Sequence, residues 1–314
     1  MDRQTKILVT GGAGFIGSWA AQKLADDADN YVVVVDNLLT GKLENIPTST
    51  HKNFKFIKAD VNDFRDISSI FHSYSFDYVF HYAAVVGVQR TLQNPSLVLD
   101  DLTGLKNILN LSKNTGVKRV YYSSSSEVYG EPVEYPQNEH TTPLNSRLPY
   151  AIVKNVGEAY LRAYKQEYDL DFTIFRFFNT YGPKQSTDFV MTKFLDAALS
   201  NADVTIYGDG AQTRTFCYIE DNADACLNAF YKNKFVNDVV NIGNDKETSV
   251  LELAETIIRL SDSNSKIVHL PPLKEGDMTR RQPDITKMRE LLERPLMLLD
   301  DGIKLLMNSK QFRK

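Results

Sequence analysis

The sequence predicts an α/β protein built on a doubly wound parallel sheet, and three observations support this. Short apolar runs alternate with amphipathic helical patterns as far as about Asn179. The runs are rich in Val, Ile, Phe and Tyr, and continuous apolar runs of this kind are typical of strands buried on both faces. The first run leads directly into a glycine-rich turn and a helix, as the first strand of such a sheet commonly does.

The elements follow in a regular order along the chain. The runs expected to form strands are "KILVT", "YVVVVD", "FKFIKAD", "DYVFHYAA", "VKRVYYSS" and "FTIFRFFN". Helical patterns such as "GSWAAQKLADDA" and "LTGLKNILNLSKNTG" lie between them. Beyond about Asn179 the alternation becomes irregular, which indicates a smaller C-terminal lobe that binds substrate over the carboxyl edge of the sheet. We predict a sheet domain of residues 1–178 with a return segment at 216–248, and a lobe of residues 179–215 and 249–314.

The composition excludes several classes of protein. A formal net charge of -4 over 314 residues offers no basic surface for nucleic acid or for an anionic membrane. No apolar stretch approaches the roughly 20 residues that cross a bilayer, and no signal-peptide pattern opens the chain. Cys217 and Cys226 form neither a CxxC motif nor a zinc pattern. We therefore expect a cytoplasmic protein without a metal site.

The glycine-rich turn "TGGAGFIG" at residues 10–17 predicts a dinucleotide site. Gly11, Gly14 and Gly17 give a tight strand-to-helix turn whose backbone can approach a pyrophosphate at a helix N-terminus. Phe15 and Ile16, which begin that helix, belong to the predicted cofactor site. The alternative is a glycine-rich turn without a ligand. The preceding strand and the following helix favour the Rossmann-type fingerprint.

Acidic residues at the ends of the next two strands indicate which dinucleotide binds. Asp36 would accept hydrogen bonds from the adenosine ribose hydroxyls and repel a 2'-phosphate, and Asn37 rather than an arginine follows it. The sequence therefore predicts NAD and not NADP. Asp60 and Val61 could hold the adenine, although a helix N-cap or turn aspartate explains Asp60 equally well.

A tyrosine and a lysine in "YAIVK" form the predicted catalytic pair. Tyr150 and Lys154 lie four residues apart, which places them on one face of a helix. A nearby ammonium and a positive nicotinamide would both lower the phenol pKa from about 10 towards neutrality. Such a phenolate can accept a hydroxyl proton. Ser125 in "SSSSEVYG", 25 residues before Tyr150, could hydrogen-bond the reacting oxygen; the alternative for this serine run is a polar loop.

The order and spacing of these motifs resemble those of a known family. With "HYAA" at 81–84, "FRFFNTYGP" at 175–183 and "GDGAQTRTF" at 208–216, the chain resembles an extended short-chain dehydrogenase/reductase of the nucleotide-sugar epimerase, dehydratase and decarboxylase group. The resemblance implies bound NAD, with Ala83 and Ala84 in its site, and a nucleoside-diphosphate sugar, with a UDP-sugar favoured. It also implies oxidation at sugar C4 to a transient ketone and a homodimer.

The resemblance assigns roles to individual residues. It makes Tyr150 the base, Lys154 its partner and Ser125 the hydroxyl that orients it. Asn179 and Arg214 match residues that hold the diphosphate, although a solvated surface arginine is the alternative for Arg214. One position departs from the family: Asp101 stands where an asparagine is usual, and a carboxylate cannot donate as an amide does.

The branch of the family is less strongly indicated. Ser126 and Glu127, with Arg281 in "RRQPD", resemble the pattern of UDP-glucuronate decarboxylases, in which an arginine could bind the C5 carboxylate. A diphosphate clamp or a solvated turn is the alternative for "RRQPD". The stretch "VVGVQRTLQNP" at 85–95 favours a UDP-hexose 4-epimerase instead. We favour decarboxylation, with 4-epimerisation as the alternative; a 4,6-dehydratase, a 4-ketoreductase and an inactive NAD sensor are further alternatives.

Overall fold

A computed structural model describes residues 3–48, 52–87, 91, 94–272 and 280–313. The strands are β1 (Thr5–Thr10), β2 (Asn30–Asp36), β3 (Phe54–Lys58), β4 (Tyr78–His81), β5 (Arg119–Ser125), β6 (Asp171–Phe177), β7 (Thr180–Tyr181), β8 (Val204–Tyr207), β9 (Thr213–Thr215), β10 (Cys217–Tyr218), β11 (Asp238–Ile242), β12 (Glu247–Ser249) and β13 (Ile267–Leu270). The α-helices are α1 (Phe15–Ala25), α2 (Phe64–Tyr74), α3 (Pro95–Leu99), α4 (Asp101–Thr115), α5 (Pro149–Tyr168), α6 (Val190–Leu199), α7 (Ile219–Tyr231), α8 (Val250–Leu260), α9 (Thr286–Leu292) and α10 (Leu299–Met307).

The predicted parallel sheet is confirmed. Seven strands pair in the order β11-β6-β5-β4-β1-β2-β3, and every pair is parallel. The six apolar runs form β1 to β6, while β11 comes from the predicted return segment at 216–248. Because the strand order reverses between β1 and β4, a crevice for a ligand is expected at their carboxyl ends. The division into two domains stays a prediction.

Helices cover both faces of the sheet, which explains the continuous apolar strands. Successive side chains of a strand point to opposite faces, so Ile7 and Val9 of β1 enter one core and Leu8 enters the other. Helices α1, α7 and α9 pack over the first face, and α2, α4 and α5 pack over the second. Both faces of β1 are therefore covered from Ile7 to Val9, which explains the apolar side chains there.

A third apolar core, formed mostly by residues of the predicted C-terminal lobe, lies beside the glycine-rich turn. Phe194 of α6, Leu253 of α8 and Ile303 of α10 belong to this core, and Phe15 and Trp19 of α1 pack against it. The lobe therefore lies next to the start of α1, at the carboxyl edge of β1. Within the described ranges, no helix combines the length and the apolar character needed to cross a membrane.

Candidate active site

A cleft of about 960 Å³ lies between the carboxyl edge of the sheet and the lobe. It collects nearly all of the residues that the sequence singled out. The predicted residues that line it are Gly11, Gly14, Phe15, Ile16, Gly17, Asp36, Asn37, Asp60, Val61, Ala83, Ala84, Ser125, Ser126, Glu127, Tyr150, Lys154, Asn179 and Arg281. Arg214 is absent from the lining. Positions far apart in the chain thus meet in one site.

The glycine-rich turn is packed so closely that side chains would not fit. Gly11 has a φ of +68°, and a Cβ there would lie 2.6 Å from the backbone nitrogen of Ala83. A Cβ on Gly17 would lie 2.3 Å from the carbonyl oxygen of Gly11. Gly14, at the N-cap of α1, would meet only that same carbonyl, at 3.1 Å. The turn thus keeps the backbone of α1's first turn open towards the cleft, as a dinucleotide pyrophosphate requires.

The Asp36 carboxylate is fixed at the wall of the cleft. Its Oδ2 accepts from the backbone N–H of Ala13 at 3.0 Å, and its Oδ1 accepts from that of Leu38 at 2.8 Å. Each carboxylate oxygen has a second lone pair with which to accept a ligand hydroxyl. The Asn37 amide donates to Asp60 Oδ2 at 3.0 Å. Asp60 Oδ1 also caps its own turn through the N–H of Asn62, so the adenine role of Asp60 stays a prediction.

The pair Tyr150 and Lys154 lies in the first turns of α5. Lys154 is buried, and its Nζ donates to the carbonyl oxygen of Ser123 at 2.7 Å. The same Nζ lies 5.8 Å from the centre of the Tyr150 ring. Ser125 follows Ser123 at the end of β5 and hydrogen-bonds Tyr150. Tyr150, Ser125 and Lys154 therefore lie together in the cleft, while their catalytic roles stay a prediction.

The sequence predicts a lowered pKa for the Tyr150 phenol. For the protein groups taken without a nicotinamide, that prediction is wrong, because they raise this pKa. Burial raises the pKa of Tyr150, the hydrogen bond with Ser125 lowers it, and the charges of Glu127 and Asp101 raise it further. Burial also lowers the pKa of Lys154 to about 8, against the charge of Asp101, which raises it. Burial disfavours both charged forms, and this outweighs the neighbouring charges.

Asp101, at the position that departs from the family, is a carboxyl group of the cleft whose pKa lies closer to neutral pH than that of an ordinary aspartate. Its Oδ2 accepts from the backbone N–H of Val85 at 2.9 Å. Burial raises the pKa of Asp101 to about 6, while the charge of Lys154 and the bond from Val85 lower it. A carboxyl group with this pKa can gain or lose a proton near neutral pH, which an asparagine cannot do.

Arg281 is paired with Glu127 inside the cleft. Arg281 Nη1 lies 2.8 Å from Glu127 Oε1 and 3.4 Å from Ser126 Oγ. The Arg281 side chain is only 7% exposed, so the alternative of a solvated turn is wrong. Among the described residues, Glu127 Oε2 has no hydrogen-bond partner although it is buried. The charge of the Arg281 guanidinium is therefore balanced by Glu127, and Glu127 Oε2 can still accept a hydrogen bond.

Asn179 and Arg214 differ in their placement. Asn179 follows β6 at the cleft, where its carbonyl accepts from the N–H of Cys217 at 2.9 Å. Arg214 lies in β9, which pairs with β12, and its Nη1 donates to the carbonyl oxygen of Thr213 at 2.7 Å. Arg214 is buried, so the alternative of a solvated surface arginine is wrong. Its role at the diphosphate stays a prediction.

The sequence reasoning missed Lys184, which also lines the cleft. Its Nζ lies 3.2 Å from the carbonyl oxygen of Asn45 and 3.4 Å from Ser18 Oγ in α1. This places a cation from the lobe side next to the glycine-rich turn. The signal available was its position, directly after the "YGP" of a motif that follows the last predicted strand.

Comparison with known proteins agrees with this geometry. Residues 7–243 match the model of the NAD dependent epimerase/dehydratase family. UDP-glucuronic acid decarboxylase 1 of Danio rerio is 36% identical over 96% of this chain and 71% of its own length. The UDP-N-acetyl-alpha-D-glucosaminuronate decarboxylase of Bacillus cytotoxicus is 35% identical over 95% of both chains. The crystal structure of UDP-glucose 4-epimerase from Thermotoga maritima with UDP-glucose covers 98% of both chains, at 34% identity and a TM-score of 0.91.

The match thus covers the sheet, the lobe and the cleft, and it includes enzymes of more than one activity. The resemblance stated from the motifs is confirmed, and so is the expected Rossmann-type fold. The chain belongs to the NAD-dependent epimerase/dehydratase family, the nucleotide-sugar enzymes of the extended short-chain dehydrogenase/reductase type.

Proposed function

We propose that this enzyme decarboxylates UDP-glucuronate to a UDP-pentose through a transient 4-keto sugar. The observation that carries the proposal is the buried Arg281 beside Ser126 and Glu127 in the cleft that holds Tyr150. An arginine at this depth is rare unless it is paired or binds an anion. A guanidinium has five donors in a fixed fork, so it can hold Glu127 and also face a substrate carboxylate.

The cleft also fits the cofactor of the family. Gly11, Gly14 and Gly17 leave the start of α1 open for a pyrophosphate, and Asp36 would hold the adenosine ribose. NAD bound by these residues would supply the oxidation at sugar C4, as the acceptor of its hydride. Lys154, buried beneath Tyr150, would hold the nicotinamide ribose. We propose a homodimer as well, which the partly exposed Leu99 and Ile152 on α3 and α5 support.

The protein groups then act on the sugar in sequence. The Tyr150 oxygen accepts the proton of the 4-hydroxyl, and Ser125 holds that oxygen in place. The resulting C4 ketone is β to the C6 carboxylate, so the C5–C6 bond can break with its electron pair delocalised into the C4 carbonyl. Carbon dioxide leaves, and C5 of the enolate takes up a proton. Return of the hydride to C4, with the proton given back by Tyr150 to the C4 oxygen, would then yield the UDP-pentose. Arg281 holds the carboxylate before this step, and Glu127 Oε2 accepts a hydrogen bond from the sugar.

A specific observation favours 4-epimerisation as the second candidate. Glu127 already compensates the charge of Arg281 at 2.8 Å, so the cleft needs no carboxylate from the substrate. Tyr150, Ser125 and Lys154 would serve that reaction equally, because both begin with oxidation at C4. Part of the epimerase-like stretch at 85–95, namely 88–90 and 92–93, lies outside the described residues.

Replacing Arg281 separates the two candidates. We expect Arg281→Gln to reduce turnover of UDP-glucuronate by at least ~100-fold, because truncating one partner of a buried charge contact with a bound molecule costs about 2–5 kcal/mol of binding. Bound NAD should remain at the wild-type level. Turnover is measured by release of carbon dioxide, with Arg280→Gln as the matched control.

Arg280 is a suitable control because it neighbours Arg281 but pairs with Glu247 outside the cleft, with its side chain 43% exposed. Wild-type decarboxylation by Arg280→Gln and loss by Arg281→Gln support the proposal. Equal decarboxylation by both variants would remove Arg281 from the reaction. Interconversion of UDP-glucose and UDP-galactose by the wild type, without release of carbon dioxide, would identify the 4-epimerase.

Replacing Asp36 tests the choice of cofactor. We expect Asp36→Ala to weaken NAD binding and to narrow the preference for NAD over NADP, because a ribose acceptor and a repulsive charge are lost together. Fluorescence titration of cofactor-stripped protein with each dinucleotide measures both affinities. Equal affinity of the wild-type protein for NAD and NADP would contradict the role given to Asp36.

A further inference from the structure

A buried ion pair lies directly behind the catalytic residues. Glu158 of α5 and Arg176 of β6 are both at most 1% exposed. Arg176 Nε donates to Glu158 Oε1 at 2.9 Å, and its Nη2 donates to Glu158 Oε2 at 2.7 Å. Two parallel bonds of this kind fix the orientation of both side chains. The substrate chemistry described above makes no use of this pair.

Each member of the pair also holds the segment that carries Ser125 and Glu127. Ser124 Oγ donates to Glu158 Oε1 at 2.7 Å, and Ser124 is the register partner of Arg176 in the sheet. On the far side of the same segment, Arg176 Nη1 donates to the hydroxyl of Tyr129 at 2.8 Å. The stretch from Ser124 to Tyr129 is thus bound at both ends to one ion pair.

The same pair is joined to the helix of the catalytic tyrosine. Glu158 lies eight residues after Tyr150 and four after Lys154, on one face of α5. Helix α5 approaches β5 so closely that a Cβ on Gly157 would lie 2.2 Å from the hydroxyl of Tyr122. Glu158 therefore connects the element that supplies Tyr150 with the segment that supplies Ser125.

A buried ion pair contributes little net stability, since desolvation of the charges offsets their attraction. An apolar pair of similar volume would fill the space, but it could not hold Ser124 and Tyr129 in a set orientation. Misplacement of a catalytic group by about 1 Å can reduce the rate about 100-fold. The geometry of this pair therefore matters more for alignment than for folding.

We propose that Glu158 and Arg176, acting through Ser124, are positioning residues that hold Ser125 in register with the Tyr150 hydroxyl. The inference rests on the role of Tyr150 in the proposed function. It does not depend on which reaction follows oxidation at C4, because every branch of the family begins with that step.

The test removes one link and leaves the ion pair intact. Glu158→Ala would leave a buried guanidinium unpaired and could prevent folding, so Ser124→Ala is the variant of choice. We expect Ser124→Ala to lower kcat at least ~10-fold, with KM for the UDP-sugar and the content of bound NAD within about twofold of wild type. The matched control is Ser263→Ala, far along the chain in the predicted lobe, whose hydroxyl donates to the backbone carbonyl of Ala198 at the same distance of 2.7 Å.

The pH profile distinguishes alignment from a loss of structure. The bond from Ser125 lowers the pKa of Tyr150, while the charges of Glu127 and Asp101 raise it and Lys154 lies beside its ring. If Ser125 moves away in Ser124→Ala, the acid limb of the kcat profile shifts to higher pH. In Ser263→Ala, the acid limb of the kcat profile should stay at the pH found for the wild type.

Turnover is measured for UDP-glucuronate and UDP-glucose, and the variant is compared with wild type on whichever sugar the wild type converts. A lower kcat with a shifted acid limb and unchanged KM supports the inference. A kcat within twofold of wild type, or a parallel loss of kcat, NAD content and thermal stability, would overturn it. The proposed function is tested by a different result, since it is contradicted if the wild type releases no carbon dioxide from UDP-glucuronate.

Discussion

Replacement of Tyr150 by phenylalanine is expected to lower kcat by at least ~100-fold, the scale of one positioned proton-transfer group. The phenol oxygen is the only atom removed, and Ser125 hydrogen-bonds that atom in the cleft. The ring would stay packed between its neighbours, so folding and NAD binding should be unchanged. Steady-state turnover and the absorbance of bound NAD measure the two effects.

A second tyrosine of the same helix provides the control. Tyr168 lies at the last position of α5 and is 47% exposed. Tyr168→Phe removes the same atom at a distance from the cleft and should keep wild-type kcat. Turnover of Tyr150→Phe close to that of Tyr168→Phe would exclude Tyr150 as the base.

Replacement of Lys154 by methionine is expected to reduce both turnover and NAD affinity. The buried Nζ holds the carbonyl of Ser123 at 2.7 Å and would hold the nicotinamide ribose, so both functions are lost with the ammonium. We expect kcat to fall on the order of 100-fold, as for a misplaced catalytic group. Lys165→Met is the control, because Lys165 lies on the same helix but pairs with Asp171 at the surface.

The pH dependence of NAD affinity gives a second measure of the same residue. The pKa of Lys154 is lowered to about 8, so its ammonium is present below this pH and is lost above it. NAD affinity of the wild type should therefore fall as the pH rises through about 8. In Lys154→Met this fall should disappear, and its persistence would contradict the assignment.

The strands and the cofactor turn could be predicted because their signals are local. A strand covered by helices on both faces favours a continuous apolar run, and the four valines of "YVVVVD" show that pattern without reference to the rest of the chain. The turn requires Gly11 and Gly17 because backbone atoms lie within 2.6 and 2.3 Å of where their Cβ atoms would be. Such requirements appear in the sequence as residue types at fixed spacing.

The pairings across the cleft could not be predicted in this way. Glu127 and Arg281 meet only because the residues just before α9 lie beside the end of β5, and no local pattern encodes their 2.8 Å contact. The raised pKa of Tyr150 depends on burial, which the fold produces by packing it with Val85, Val98 and Val153 from separate parts of the chain. Arg214 is a third case, because a motif match alone assigned it to the diphosphate; it is not among the residues that line the cleft, and its role stays a prediction.

The central claim, decarboxylation through a C4 ketone, is tested most directly with UDP-glucuronate carrying ¹³C at C6. The wild-type enzyme with bound NAD is incubated with this sugar, and ¹³C NMR follows the label. We expect the carboxylate signal to move into carbon dioxide and bicarbonate while one UDP-pentose forms for each molecule released. A label that stays in the uronate carboxylate, in an enzyme that interconverts UDP-glucose and UDP-galactose, would contradict it.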